Sequence, residues 1–315
     1  MEIMLHRGGL QTTVQDLGRR GHRASGVPLS GAMDAFALRL ANALVGNAEG
    51  AAALEFTLTG PEIEFSADAV VAIGGADCEG LPSWKPLAMR AGERVKLGAC
   101  TRGARGYLAV AGGIDIAPVL GSRSTYLRAG LGGHEGRALR DGDVLRIGAS
   151  THDPAVVGRA TWRVDPRALP PYSPSPHVRI VRGAQADEFG DALARAVFSI
   201  SPQSDRMGLR LTGATLARTN EVELLSSAVA PGTVQVPPDG KPVILMADAQ
   251  TIGGYPQVAH AIAVDLPLVA QLRPGDTLQF VEVSLAEAQR LAQAREREWA
   301  ILRQGLAQKL GGAGW

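Results

Sequence analysis

Short apolar stretches, some continuous and some with every second residue apolar, dominate this chain, and they predict a mainly β protein with few helices. Such stretches cover Val70–Ile73, Gly106–Ala111, Val144–Ile147, Val178–Val181, Val234–Val236, Val243–Ala247 and Thr277–Val283. Each is rich in β-branched residues and bounded by Gly or Pro, as strands of barrels and sandwiches are. Helical spacing is clearest in the tail. There Ser284 and Glu287 form a capping box ahead of Leu285, Ala288, Leu291, Trp299, Leu302, Leu306 and Leu310. Residues 284–315 are therefore expected to be a C-terminal helix with one apolar face and a frayed Gly-rich end.

The pattern repeats. Asp34-Ala-Phe36-Ala-Leu-Arg-Leu40 lies 153 positions before Asp187-Glu-Phe189-Gly-Asp-Ala-Leu193. At the same offset, Leu54, Phe56, Leu58, Thr59-Gly60 and Ile63 fall on Met207, Leu209, Leu211, Thr212-Gly213 and Leu216. Each copy reads as an Asp-capped helix, an alternating strand, a Thr-Gly turn and a further strand. Leu139–Ile147 and Leu272–Phe280 share a turn that launches a strand, and Met89–Leu97 is a weaker third instance. The chain thus reads as a duplicated domain. Residues 166–176, rich in proline, read as a linker between a first domain at 1–165 and a second at 177–283.

Composition narrows the function classes. Lys and Arg total 32 against 31 Asp and Glu, a balance that argues against a nucleic-acid or acidic-membrane surface. The Arg19–Arg23 cluster is too short to change that and reads as a solvated loop, with anion contact as the alternative. Two cysteines outside any CxxC pair and six scattered histidines give no metal or redox motif. No secretory leader or membrane-length apolar run is apparent, so a cytoplasmic location is expected. P-loop, GxSxG, HExxH, EF-hand, Rossmann and biotin-attachment motifs are missing too. No cofactor is expected to be covalently bound, and ATP or biotin would belong to another subunit.

One stretch concentrates candidate chemistry. Ser226–Pro256 joins a Pro-Pro-Asp-Gly turn, the apolar Val243–Ala247 strand and a loop carrying Asp248, Gln250, Thr251, Gly253, Gly254 and Tyr255. Turn residues aim such a loop while the strand holds it rigid. The first-half counterpart, Tyr107–Ile114, also ends a strand in Gly-Gly but lacks the Gln, Thr and Tyr. The polar set is therefore a specialisation of the second copy.

Several runs resemble the biotin-dependent carboxyltransferase family, also called allophanate hydrolase subunit 2. They are Gly9–Arg19, Gly26–Asp34, Asn42–Asn47, Leu54-Glu55 and Gly121–Thr125 in the first half. In the second half they are Ser204–Gly208, Val229–Gly240 and Asp248–Pro256. Asp205 stands where the family usually has Asn, and Ile252 where it has a second Thr. The resemblance implies two tandem cyclophilin-like β-barrel domains plus the C-terminal helix. It also implies a partner, the other carboxyltransferase half. Family members include components of ATP-dependent 5-oxoprolinase, which hydrolyses 5-oxo-L-proline to L-glutamate. In that case a third, lactam-handling subunit is also expected. Other members are halves of carboxylases acting on urea or similar amides, or non-catalytic binders of a sporulation-kinase inhibitor.

Lactam opening needs a cation for the substrate carboxylate, donors for oxyanion charge and a group that positions water. On that basis Arg206, Gln250, Tyr255 and His260 are candidate catalytic residues. Gln235, Asp248, Thr251, Gly253 and Gly254 are candidate substrate contacts, joined from the first half by Gln15 and Ser30. Bland readings stand beside these: Arg206 paired with Asp205, the two glutamines closing strand ends, His260 and Tyr255 packed, and Gln15 and Ser30 capping turns.

Overall fold

The computed structural model describes residues 1–150, 160–220 and 222–311. They divide into two compact units. Unit 1 comprises Met1–Arg20, Ser30–Pro170 and the tail from Glu298; unit 2 comprises Gly21–Leu29 and Pro171–Arg297. The division falls inside the Pro-rich stretch, but each unit also takes a segment from the other half of the sequence.

In unit 1 the described strands form two sheets. One has the order β7-β4-β1-β9, from Arg94–Lys96, Glu62–Phe65, Glu2–Arg7 and Val144–Arg146. The other has the order β2-β3-β8-β5-β6, from Thr12–Gln15, Ala53–Thr57, Cys100–Val110, Ala69–Cys78 and Pro86–Met89. Helix α1, Ala35–Leu44, lies over β5 and β8. Its cover explains why β3 and most of β5 are buried on both faces instead of alternating. Gly74 on β5 admits that contact, since a Cβ there would stand 2.7 Å from the Ala37 carbonyl oxygen.

Unit 2 closes into a seven-strand barrel, β10-β17-β14-β15-β12-β11-β18. These are His177–Arg182, Gln257–Ala261, Thr233–Gln235, Val243–Leu245, Gly208–Gly213, Val197–Ile200 and Thr277–Glu282. Closure is made by the parallel pairing of β10 with β18. The period-2 pattern puts Val178, Ile180, Phe198, Ile200, Leu278 and Phe280 inside, with the two phenyl rings 5.9 Å apart. A two-stranded ribbon, β13 (Ser227–Ala228) with β16 (Ile252–Gly253), completes the unit.

The mainly β class and the C-terminal helix are as the apolar patterns suggested, and the closed barrel of unit 2 is of the kind the family resemblance implied. So is the repeated turn. Arg90, Arg140 and Arg273 each donate a backbone N–H, at 2.8 Å, to the carboxylate three residues on, at Glu93, Asp143 and Asp276. Each turn has a glycine at positive φ, and each launches a strand: β7, β9 and β18.

Two details of the repeat differ. Asp34 caps α1, accepting from Ala37 N at 2.9 Å. Asp187 caps nothing: it lies within a 3-10 turn, Ala186–Phe189, and its exposed carboxylate meets Arg182. Gly190, at φ 55° and ψ −141°, breaks the segment before the short helix α2, Ala192–Arg195, can join it. Likewise Thr212-Gly213 ends β12 without starting a new strand, and Leu216 packs from a loop. Two further helices, Leu266–Ala270 (α3) and Leu285–Lys309 (α4), bring the α-helices among the described residues to four. Only the first half of the capping box forms: Glu287 N donates to Ser284 Oγ at 3.1 Å, while the Glu287 carboxylate turns to Arg290. Within unit 1 the end of α4 buries Trp299, which packs edge-on at 5.9 Å from Phe36 and donates to Glu49 at 2.8 Å. No helix of the described residues is long and apolar enough to cross a membrane.

Candidate functional site

The loop after β15 is built on a register that runs past the strand. Met246 N donates to Met207 O and Asp248 N to Arg206 O, both at 2.9 Å. That register sets the Arg206 and Asp248 side chains face to face. They form a two-pronged ion pair, Nε to Oδ2 at 2.9 Å and Nη2 to Oδ1 at 3.0 Å, with both residues buried. The planar guanidinium fork thus meets an internal carboxylate through Nε and Nη2. Asp205 takes a different role, accepting from Met207 N at 2.8 Å and Gly208 N at 3.2 Å. The ion pair ties the root of the loop to the Ser204–Gly208 turn.

Beyond the pair, the loop turns onto the ribbon. Gln235 is buried on β14 and donates to the Tyr255 carbonyl at 3.1 Å. A Cβ on Gly253 would lie 2.9 Å from Gln235 Nε2 and 3.5 Å from Gln250 Nε2. Both amides therefore converge on Gly253, and the missing side chain there leaves them room. Gly254 is exposed beside the Leu224 carbonyl and Ser226. Tyr255 is 48% exposed, and its described contribution is the carbonyl, not the phenol. Gln257, which the sequence reading passed over, anchors the ribbon through Ser227 Oγ at 2.8 Å and Ala228 O at 3.1 Å.

A cavity of about 460 Å³ opens in unit 2, walled by Arg23, Val229, Thr233, Thr251, Ile252 and His260, among others. Thr251 and His260 are the two sequence candidates that reach it. His260 Nδ1 lies 3.2 Å from Thr233 Oγ1, which itself accepts from Ala230 N at 3.1 Å. Burial holds the imidazole pKa below its ordinary 6.5, so the ring is neutral at neutral pH. Arg23 brings a guanidinium, with a bond to the Val229 carbonyl. Chemically, the cavity offers one cation, two hydroxyls and a neutral imidazole. This suits hydrogen bonding to a small polar or anionic ligand. Among the described residues no cluster of His, Cys, Asp and Glu could hold a metal ion.

Arg23 and Thr233 are wall residues outside the set of sequence candidates. Arg23 looked solvated because its basic cluster is short, and its partner lies 206 residues away. Thr233 carried a usable signal: it and Gln235 sit two apart on β14, which places polar groups on one face of a strand.

Gln15 and Ser30 belong to unit 1 and are not among the cavity's lining residues. Gln15 is buried and donates to Thr13 Oγ1 at 3.0 Å and Thr125 O at 3.1 Å. Ser30 is buried at φ 53°, a left-handed conformation that non-glycine residues seldom adopt. Beside Gln15, Asp16 gathers Ser122 Oγ at 2.6 Å, Arg123 N at 2.6 Å and Gly18 N at 2.8 Å. The Gly9–Arg19 and Gly121–Thr125 runs therefore meet in a buried polar knot.

Comparison with known proteins fits this architecture. The model of the carboxyltransferase domain, subdomain A and B, matches residues 25–282. The chain is 46% identical over 305 residues to the C-type subunit of 5-oxoprolinase from Escherichia coli, covering 94% of this chain and 96% of that protein. It is 39% identical to the corresponding 5-oxoprolinase protein from Haemophilus influenzae, covering 91% and 93%. Among solved structures it superposes on Kluyveromyces lactis urea amidolyase with a TM-score of 0.86 at 30% identity. That match takes in 94% of this chain but only 19% of the much longer enzyme. The chain belongs to the carboxyltransferase domain family, subdomain A and B.

Proposed function

We propose that this chain is the C-type subunit of an ATP-dependent 5-oxoprolinase, working with separate partner subunits to hydrolyse 5-oxo-L-proline to L-glutamate. The observation that carries the reading is the 46% identity to the Escherichia coli protein of that type over almost the whole length of both chains. The unit 2 cavity is the proposed substrate-facing site. A lactam bearing a carboxylate matches its chemistry: Arg23 for the anion, Thr251 for the ring amide and His260 for the carbonyl. With the Thr233 hydroxyl hydrogen assigned to Nδ1, neutral His260 carries its own proton on Nε2. Its role is then to donate a hydrogen bond to developing negative charge, not to act as a base. Gln235 and Gln250 fix the ribbon that forms one wall. ATP is used by the complex and bound by a partner, the other carboxyltransferase half or the lactam-handling subunit. The complex is placed in the cytoplasm.

The test combines the purified chain with its co-encoded partners and measures glutamate formed from 5-oxoproline and ATP. Activity should need all components, and full activity without this chain would sink the reading. His260→Ala should lower turnover by about a hundredfold or more, the scale of one lost transition-state donor, while the urea midpoint stays close to wild type. A parallel arm offers urea and a biotin carrier. Carboxylation there, with no glutamate from 5-oxoproline, would favour the urea-carboxylase reading that the amidolyase superposition supports.

A further inference from the structure

Cys78 and Cys100 share no part in the cavity, yet they face each other in unit 1. They are the chain's two cysteines, and their residues are directly paired across the antiparallel strands β5 and β8. Glu79 N donates to Ala99 O at 3.1 Å, while Cys100 N turns away to Leu58 O at 2.7 Å. That is the pattern of a non-hydrogen-bonded pair, the closer of the two kinds of antiparallel pair, here set beside a bulge at Asp77. Pairs of this kind lie within the range of about 4.4–6.8 Å between Cα atoms that a disulfide spans. The sulfurs are already 2.8 Å apart. Cys78 is half-buried and Cys100 is buried, so one sulfur is reachable from solvent and the other waits behind it.

We propose that Cys78 and Cys100 are an oxidation site, a thiol pair that a small-molecule disulfide such as oxidised glutathione closes into an intramolecular cross-strand disulfide. Cys78 loses its proton and its thiolate attacks one glutathione sulfur. The glutathione disulfide breaks, and the first glutathione thiolate leaves and takes up that proton. Cys100 sulfur, deprotonated in turn, attacks Cys78 sulfur and expels the second glutathione as its thiol. Two protein thiols are oxidised, one glutathione disulfide is reduced, and both protons end on glutathione. The neighbouring Cys100, burial and the Asp77 charge hold the Cys78 thiol protonated well above the usual range. Closure is therefore slow at neutral pH and speeds up as pH rises. The bond would join β5 to the strand whose Cys100 is also tied to Leu58, so it would fasten the rim of the unit 1 core.

The test incubates the full chain with oxidised glutathione at about pH 9, then counts thiols after denaturation and maps peptides without reduction. The expected result is loss of both thiols, a linked Cys78–Cys100 peptide and a Tm raised by roughly 5–10 °C, all reversed by dithiothreitol. Cys100→Ser should stop at a glutathione adduct on Cys78. Two intact thiols after prolonged treatment would overturn the proposal. So would an unresolved adduct in the wild-type chain, or cross-links only between chains.

Discussion

Each unit buries ionisable groups on a strand pair that the repeat makes equivalent, and each handles them differently. In unit 1, β3 and β8 bring Glu55 opposite Tyr107. The phenol donates to the carboxylate at 2.7 Å, Met33 N donates to it at 2.9 Å, and Asp34 N donates to the phenol at 2.8 Å. Burial and the nearby carboxylates push the Tyr107 pKa well up, so the phenol stays a donor. In unit 2 the matching ladder of β12 and β15 carries the two-pronged charge pair Arg206–Asp248 just beyond its end, whereas in unit 1 Arg105 Nη1 stands off at 3.8 Å from Glu55 Oε1. One unit thus pins a helix start to its sheet, while the other fixes the root of a loop. Where a unit puts its buried charge tells which segment it needs to hold still.

The largest effect should come from splitting the unit 2 pair. Asp248→Ala leaves a buried guanidinium without its counter-charge and should cost about 3–5 kcal/mol in urea unfolding. The double variant Arg206→Met with Asp248→Leu should recover most of that. If the single variant unfolds like wild type, the pair is not what holds the loop. The unit 1 counterpart, Tyr107→Phe, removes a neutral donor and should cost about 1–3 kcal/mol by the same measurement. An equal or greater loss there would reverse the comparison.

A third contrast sets the cavity histidine against solvent. Because burial lowers the His260 pKa, the folded state binds fewer protons than the unfolded state. Its contribution to stability is therefore complete above 6.5 and declines as pH falls through the folded value. An NMR titration should show a midpoint below 6.5, and a midpoint at or above it would mean the wall is wet. The smallest effect concerns the repeated turn. Asp143, held by Arg137 and by Arg140 N, has its pKa lowered from 3.8 to about 2. Its stabilisation is present above 3.8 and is lost as pH drops towards 2. Asp143→Asn should flatten that acid limb of the thermal stability profile, and an unchanged limb would assign it to other carboxylates.

The parts legible in the sequence are those set by neighbours a few residues apart. Short apolar runs bounded by Gly or Pro located the strands, and the Gly-acid turns announced three of them. Asp34 and Asp187 look alike in sequence, but the backbone of Gly190 separates them, and no local pattern records its ψ. Arg206 has Asp205 beside it and Asp248 42 residues on; only strand register decides for the distant partner. Gly112-Gly113 and Gly253-Gly254 also look equivalent. The first pair takes positive φ at both positions and the second at neither. Gly253 is explained by the two amides that crowd it, a reason that exists only once β14 and the ribbon are side by side.

The short segment Gly21–Leu29 gives the duplication a practical limit. It comes from the first half of the chain, yet it is part of unit 2 and supplies Arg23, Ala24 and Gly26 to the cavity wall. A gene cut within the proline-rich stretch would therefore not release a self-sufficient second module. The fragment would keep its barrel strands but lose the cavity's guanidinium. Grafting or permutation of the second unit has to carry those nine residues with it, so the two units are not separable cassettes.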